Sequence, residues 1–561
     1  MNISSPPLLP SDSIVAPFRH IFFRRIWTAS LLSNFGLLIQ GVGAAWAMTV
    51  LTGRPNWVAL VQSALMLPTT LLSVAAGAVA DMYDRRLVGL AALSLSFIAA
   101  AGLSAISVAG KLEPYGILIF CFLIGSGMAI FGPSWQASVA EQVPINVLPA
   151  AVALNSISYN LARSFGPAIG GLIVGVAGVA AAFLTNALLC LPLLTALFFW
   201  RRERSEARLP PERIGRAMLS GIRYVMHSPP IRAVLCRTFL LGFAGSSVSA
   251  LMPFVARNLL GGAAQIYGVM LGTFGIGAVL GALYVSGLRR LFTAETIGRG
   301  CACVMGVALV CVAFSQSAIV TGTALIIAGA AWLTSLTSFN ITIQLAAPRW
   351  VAGRALAAYQ ASISGGVAIG SWVWGNVADA IGTSMAMLAS GLLMAAFISL
   401  GRWLRVPVSN PSDTETQEAL LTIPDVALPL TGRSGPIVIE IEYRIDPMSA
   451  RRFYNAMLAL QLARQRNGAY GWTLSRDIAD PELWIERYHC PTWHDYLRQR
   501  ERLTAAERLL ERTATDFHFG GQPFRVRRLL ERPFGSVRWK ENTPDPSGNM
   551  LLPSSSPTGG K

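Results

Sequence analysis

The side chains of this 561-residue chain that could act on a small molecule are few, and most stand alone in apolar sequence. Arg163 lies three positions before the run Gly166-Pro-Ala-Ile-Gly-Gly171. A guanidinium in the middle of an apolar helix costs roughly 3 kcal/mol unless it faces a wet cavity or a partner. With Asn155 and Asn160 on the same segment, Arg163 could line a central pathway and attract an anionic group. The alternative is an arginine nearer the helix end that snorkels to the interface. Gln40 and Asn340 are further pathway candidates, and Arg237, one turn into its segment, is read as reaching outward. Pro167 removes a backbone hydrogen bond and kinks its helix, while Gly166, Gly170 and Gly171 let a neighbour pack against the backbone. A second cluster is Gly77-Ala-Val-Ala-Asp-Met-Tyr-Asp-Arg-Arg86. There Gly77 would permit close helix approach and Asp81 could meet the positive N-terminus of another helix. Arg85 and Arg86 could pair with acids or lipid headgroups. These groups bind and switch; they are not a catalytic constellation. His489, Cys490 and His494 lie close together, but no fourth ligand follows at zinc-like spacing. No catalytic residue, metal or cofactor is expected.

The elements that must position these residues are apolar. Hydrophobic residues make up 53% of the chain and charged ones 13%. Twelve apolar stretches run between Ile26 and Leu404, at approximately 26–51, 57–79, 87–109, 115–138, 149–177, 180–200, 232–255, 264–287, 297–316, 319–344, 355–377 and 380–403. A helix of about 20 residues rises about 30 Å, the thickness of a bilayer's hydrocarbon core. The fold class expected is an all-α polytopic membrane protein of twelve helices in two six-helix bundles, with a small α+β domain appended. The formal charge of +16 does not gather on one soluble face, which argues against a nucleic-acid partner. Loops assigned inside are rich in arginine, whereas those assigned outside hold only Arg54, Lys111 and Arg257. This asymmetry predicts cytoplasmic N- and C-termini. Acidic residues sit at segment ends, among them Glu141 and Glu295, and no central carboxylate suits a proton carrier. Six of the seven cysteines fall within spans, so no disulfide framework is implied.

The halves read as copies. Gly77–Arg86 aligns without gaps on Gly281-Ala-Leu-Tyr-Val-Ser-Gly-Leu-Arg-Arg290, and Gly166–Gly171 on Gly366-Val-Ala-Ile-Gly-Ser371, at offsets of 204 and 200. Two matches at nearly one offset indicate a parallel repeat about an axis along the membrane normal. The domain reading is a cytoplasmic N-terminus (1–25), a first bundle (26–200), a central loop (201–231), a second bundle (232–404), a linker (405–434), a tail domain (435–535) and a disordered end (536–561). In the central loop, Ile214, Met218, Ile222 and Val225 fit either an amphipathic helix on the membrane surface or a solvated linker. In the tail, alternation at Ile437, Ile439, Ile441 and Tyr443 marks a strand. A helix at 447–466, strands near 470–477 and 482–488, a helix near 492–513 and a strand near 524–530 complete the βαββαβ order of a ferredoxin-like module. Val438, Trp472 and Trp484 are expected on the face without helices, where they could pair with a second sheet; the alternative is a monomer with a polar face.

The loop pattern G-x-x-x-D-x-x-x-R-R after the second span resembles the signature of the major facilitator superfamily. The run Gly166–Gly171 resembles the latter half of the glycine-rich motif carried by its exporters. The opening Phe22–Gly36, the run Ala151–Pro167 and the tail segments Gly468–Trp472 and Trp493–Thr504 resemble the branch of enterobactin-type siderophore exporters and transmembrane secretion effectors. The tail domain is similar to dimeric α+β barrels. The resemblance implies a secondary transporter in a bacterial inner (plasma) membrane that exports a small molecule, whether siderophore-like, drug or secondary metabolite, by alternating access and proton antiport. It also implies that Gly77, Asp81, Arg85 and Arg86 latch the two halves in one access state. Asp84 stands where the family commonly has glycine. An importer of the same fold, or a membrane-anchored enzyme or sensor acting through its tail, are the alternatives. Membrane lipid, and a second copy joined through the tail domain, are the other expected partners.

Overall fold

In a computed structural model, residues 15–144, 147–200, 214–397, 399, 404, 426–428, 430–519 and 525–531 are described. The linker at 405–425 and the end beyond 531 lie outside them. The helices begin and end where local chemistry dictates. α1 (Ile21–Thr52) stops at Gly53, whose φ of 62° is the left-handed conformation of a helix C-cap. Pro55 then opens α2 (Pro55–Met82), with its fixed φ and missing N–H at the first helical position. Asp84 caps α3 (Arg85–Val108), its carboxylate accepting from the Arg86 amide at 2.9 Å. The family glycine is therefore replaced by a working N-cap, and the backbone there, at φ −62°, does not require glycine. α4 (Pro114–Ser138) follows. α5 (Leu148–Phe198) is two helices joined at Gly178, whose φ of 81° breaks the run. After α6 (Ile214–Met226) come α7 (Pro229–Phe254), α8 (Ala264–Leu291), α9 (Ala294–Phe314), α10 (Ala318–Ala346), α11 (Arg349–Ile381) and α12 (Thr383–Ala396). With α5 counted as two arms, the described residues form twelve apolar helical segments besides α6. Eight of the helices are long and apolar enough to cross a membrane.

The chain divides into two compact units: Met1–Met218 with Pro230–Gln344 and Ala352–Val408, and Leu219–Pro229 with Leu345–Val351 and Ser409–Lys561. In the first unit the sequence repeat becomes a packing repeat. A Cβ at Gly166 would stand 3.0 Å from the Leu38 Cβ, and one at Gly170 would stand 3.0 Å from the Ile39 Cα, so α5 lies against α1. Their counterparts Gly366 and Gly370 bring α11 still closer to α7, where a Cβ would stand 2.2 Å from the carbonyl oxygens of Phe239 and Phe243. Without a hydrophobic driving force between helices in lipid, such backbone approach is what van der Waals packing requires.

In the second unit, β1 (Ile437–Arg444), β2 (Tyr470–Arg476), β3 (Leu483–Cys490) and β4 (Arg525–Leu530) form an antiparallel sheet of order β2-β3-β1-β4. α13 (Ala450–Arg466), α14 (Trp493–Glu501) and α15 (Ala505–Thr515) accompany it. The helix expected near 492–513 is two helices. Thr504 starts the second with a capping box, its hydroxyl accepting from the Glu507 amide while the Glu507 carboxylate accepts from the Thr504 amide. Ile437, Ile439, Ile441 and Tyr443 join Phe453, Met457 and Leu460 of α13 in the core. Trp472 and Trp484 pack against this same core, which corrects their expected place on the opposite face. The register is the reason: Trp484 is directly opposite Tyr443, so the two share a face. The opposite face carries ion pairs instead, with Glu442 2.9 Å from Arg527 and Glu440 3.8 Å from Arg487. Glu486 is fully buried on the core side, where it accepts from Tyr443 Oη, Arg464 Nε and Trp472 Nε1 at 3.0–3.2 Å. Burial, then the Glu486 charge, drives the Tyr443 phenol well above its ordinary pKa.

Candidate functional site

Two lines of glycine and serine contacts cross between the two six-helix bundles of the first unit. One seam joins α5 to α8. A Cβ at Gly171 would stand 2.5 Å from the Ala264 carbonyl oxygen and 2.9 Å from the Gly268 Cα; one at Gly275 would stand 2.5 Å from the Arg163 carbonyl oxygen. Neither leaves room for a side chain. Arg163 continues the seam with its side chain, the guanidinium carbon lying 5.8 Å from the Phe274 ring centre. The other seam joins α2 to α11. Ser63 Oγ donates to the Ala368 carbonyl at 2.7 Å, Ser73 Oγ to that of Ala357 at 3.3 Å, and Gly375 presses on Ala59. Gly175 and Gly375, 200 positions apart, each face a helix of the other bundle, at Gln265 and at Ala59.

The end of the unit away from the arginine-rich loops is bridged across the bundles by two contacts. Trp46 of α1 stacks on Tyr267 of α8 at 6.3 Å, and Arg257 Nη1 donates to the Thr49 carbonyl at 3.4 Å. At the arginine-rich end, Arg85, Arg86 and Arg289, matched by the sequence repeat, find partners within their own bundles. Arg85 pairs with Glu141 at 2.8 Å, and Arg86 donates to the carbonyls of Leu197 and Phe198 at the end of α5. Their repeat counterpart Arg289 donates to the Ser338 carbonyl at 2.8 Å. Asp81 lies in the last turn of α2, and its side chain is outside the described residues.

Several expected site residues have other surroundings. Gly77, expected at a close helix approach, has open space where a Cβ would stand. Gln40 is 2% exposed and its side-chain oxygen accepts from Asn186, so it is part of the first bundle's interior. Arg237 does not reach outward: it is buried and grips Glu295 with both terminal nitrogens at 2.8 Å, while Arg299 approaches the same carboxylate at 2.6 Å. Such a partner offsets the desolvation of a buried guanidinium, and α9 supplies it in its first turn. Asn160 bonds to the Ser156 carbonyl at 2.8 Å, and Asn340 accepts from Gln344 at 2.6 Å, each one helical turn away. Among the described residues, neither buried amide atom of Asn155 has a hydrogen-bond partner. Missed in the sequence were Gly268, Gly272 and Gly275 on α8; their three- and four-residue spacing was the available signal. Phe274 and Glu141 gave no signal of their own. Among the described residues no His, Cys, Asp and Glu cluster could hold a metal.

Two repeated bundles joined along glycine-lined seams define the class: a polytopic membrane carrier. The family model described as transmembrane secretion effector matches residues 12–534. The chain thus belongs to that family, a branch of the major facilitator superfamily whose members are transporters and not enzymes. It is 26% identical over 265 residues to the staphyloferrin A transporter of Staphylococcus aureus, covering 46% of this chain and 65% of that protein. It is 24% identical to the multidrug efflux pump Tap of Mycolicibacterium fortuitum, covering 65% of this chain and 91% of the pump. The crystal structure of a bacterial homologue of the lysosomal transporter Spinster shares the fold, with a TM-score of 0.57 and 13% identity over 69% of this chain and 98% of that one.

Proposed function

We propose that this chain exports a small molecule, siderophore-like or drug-like, across the bacterial cytoplasmic membrane by alternating access, with the arginine-rich end and both termini in the cytoplasm. The observation that supports it most is the pair of seams: α5–α8 and α2–α11 cross between repeated bundles on backbone contacts that can slide, and the end opposite the arginines is the one bridged across the bundles. On this reading substrate enters from the cytoplasmic end, and Arg163, Asn155, Asn160 and Asn340 are the groups proposed to meet it. The Arg163 charge favours an anionic or metal-chelating substrate. The resemblance of Gly166–Gly171 to the exporter motif, and relatives described as a siderophore transporter and an efflux pump, favour export over import. Proton antiport follows from the family alone. Glu295 is engaged by two arginines and would carry a proton only after releasing them. The ion-paired sheet face favours a tail domain that stays monomeric over one that pairs with a second copy.

The test is efflux from cells expressing the chain against a knockout, read as intracellular accumulation of a panel of siderophores and drugs. Equal accumulation of every compound, with protein present in the membrane, rejects the proposal. Uptake in place of efflux selects the importer.

A further inference from the structure

The second unit includes more than the tail domain. Leu219–Pro229 and Leu345–Val351, taken from the segments before α7 and between α10 and α11, fold with it. Arg223 of α6 donates to the Gly468 carbonyl at 3.0 Å, and Tyr224 is 4% exposed beneath the Arg466 guanidinium, 6.0 Å from its ring centre. Trp350 meets Tyr224 edge-on at 5.4 Å and carries Arg502 over its face at 4.0 Å. Glu507, itself buried, is 3.1 Å from Arg466 and holds that cation in place. These contacts occupy the side of α6 that bears Gly221, Tyr224 and Val225.

The other side of α6 is apolar and exposed: Leu219 by 61%, Ile222 by 49% and Met226 by 55%. Positions i, i+3 and i+7 form one stripe on a helix, and a stripe of three large apolar side chains is not left in water without reason. Two features identify what covers it. α6 ends at Met226 and α7 opens at Pro229, so this helix sits at the boundary of a membrane-spanning segment. Residues 201–226 contain seven arginines against three glutamates, a net charge of +4 that complements anionic headgroups. An interfacial helix has this composition, an apolar stripe for the acyl boundary in a sequence of net positive charge.

We propose that α6 is a two-faced adaptor, holding the tail domain on its Tyr224 side while its Leu219–Ile222–Met226 side lies in the interface of an anionic bilayer. The occupant is the bilayer and not a second copy, because the stripe adjoins a spanning helix and a basic segment that two copies would have to bring together against mutual repulsion.

Hydrogen exchange of the full-length protein in nanodiscs tests this, with one copy per disc and either phosphatidylcholine alone or phosphatidylcholine with phosphatidylglycerol. Amides of 219–226 are expected to exchange about tenfold more slowly in the anionic discs. The variant Leu219→Gln/Ile222→Gln is expected to lose that difference. Tyr224→Ala is expected to speed exchange at 464–468 while the lipid-dependent protection of α6 persists. Equal exchange in the two lipids overturns the proposal, as does protection that appears only in discs holding two copies. Protection unchanged by the double glutamine variant overturns it too. Efflux failure alone leaves these readouts intact, so this inference and the transport proposal fail separately.

Discussion

Arg237 illustrates how one side chain's environment sets its consequence. Buried and bidentate on Glu295, it cannot be removed without costing that carboxylate two charge-assisted hydrogen bonds. Arg237→Gln should lower stability by roughly 3 kcal/mol, the typical cost of breaking a buried pair from one side. Arg237→Gln/Glu295→Gln should recover part of it, since no buried carboxylate is then left short of a partner and Arg299, 37% exposed, can turn to water. Thermal unfolding in detergent checks both, and a double variant less stable than the single one would refute the pairing argument. Arg163 stands at the seam against Phe274. Arg163→Ala should lower the efflux rate about fivefold or more, and Arg163→Lys less, because lysine keeps the charge and part of the cation–π contact. Equal loss in both variants, at matched expression, would show that charge is not what matters there.

Elements respond to volume where they cross. Gly171→Ala should slow efflux and lower the melting temperature, because the new methyl meets the Ala264 carbonyl and Gly268 backbone, which cannot rotate away. Gly77→Ala should raise the melting temperature, gaining about 1 kcal/mol of helix propensity with no clash to offset it. Reversal of that order would mean that the seam is not where α5 and α8 are tightest. In the tail domain, His494 lies in the first turn of α14 with its amide bonded to the Gly432 carbonyl. Burial, then Arg498, lower its pKa from 6.5, and Asp495 only partly opposes them. A histidine depressed in the fold is protonated less than in the unfolded chain. The stability it contributes is therefore full above pH 6.5 and declines as the pH falls from 6.5 through the lower folded value. Unfolding of the tail followed from pH 7.5 to 5 should show this decline, and His494→Gln should flatten it.

At the scale of the whole molecule, the end opposite the arginines joins α1 to the segment after α7 and to α8. A carrier must open there once per cycle. Cysteines replacing Thr49 and Arg257, bridged by a short bifunctional thiol reagent, should stop efflux, and cleavage of the bridge should restore it. Undiminished efflux from bridged protein would exclude opening at this end.

Much of this architecture was legible because a bilayer simplifies the code. An apolar run of sufficient length has one stable outcome in lipid, so the helical class followed from composition, and the offset of 200 between Gly166–Gly171 and Gly366–Ser371 exposed the repeat. The strand alternation at Ile437–Tyr443 was equally direct, since period two admits one reading. What only the tertiary structure decided was partnership. Gln40 and Arg237 carry no mark in the sequence of whether they face a pathway or each find a partner in their own bundle, because Asn186 and Glu295 lie 146 and 58 positions away. The two tryptophans went to the helix side because a β-bulge between Tyr470 and Thr473, and the pairing of Trp484 with Tyr443, set the register. Register and helix crossing are determined by contacts between distant segments, and the local pattern that specifies a helix or strand does not contain them.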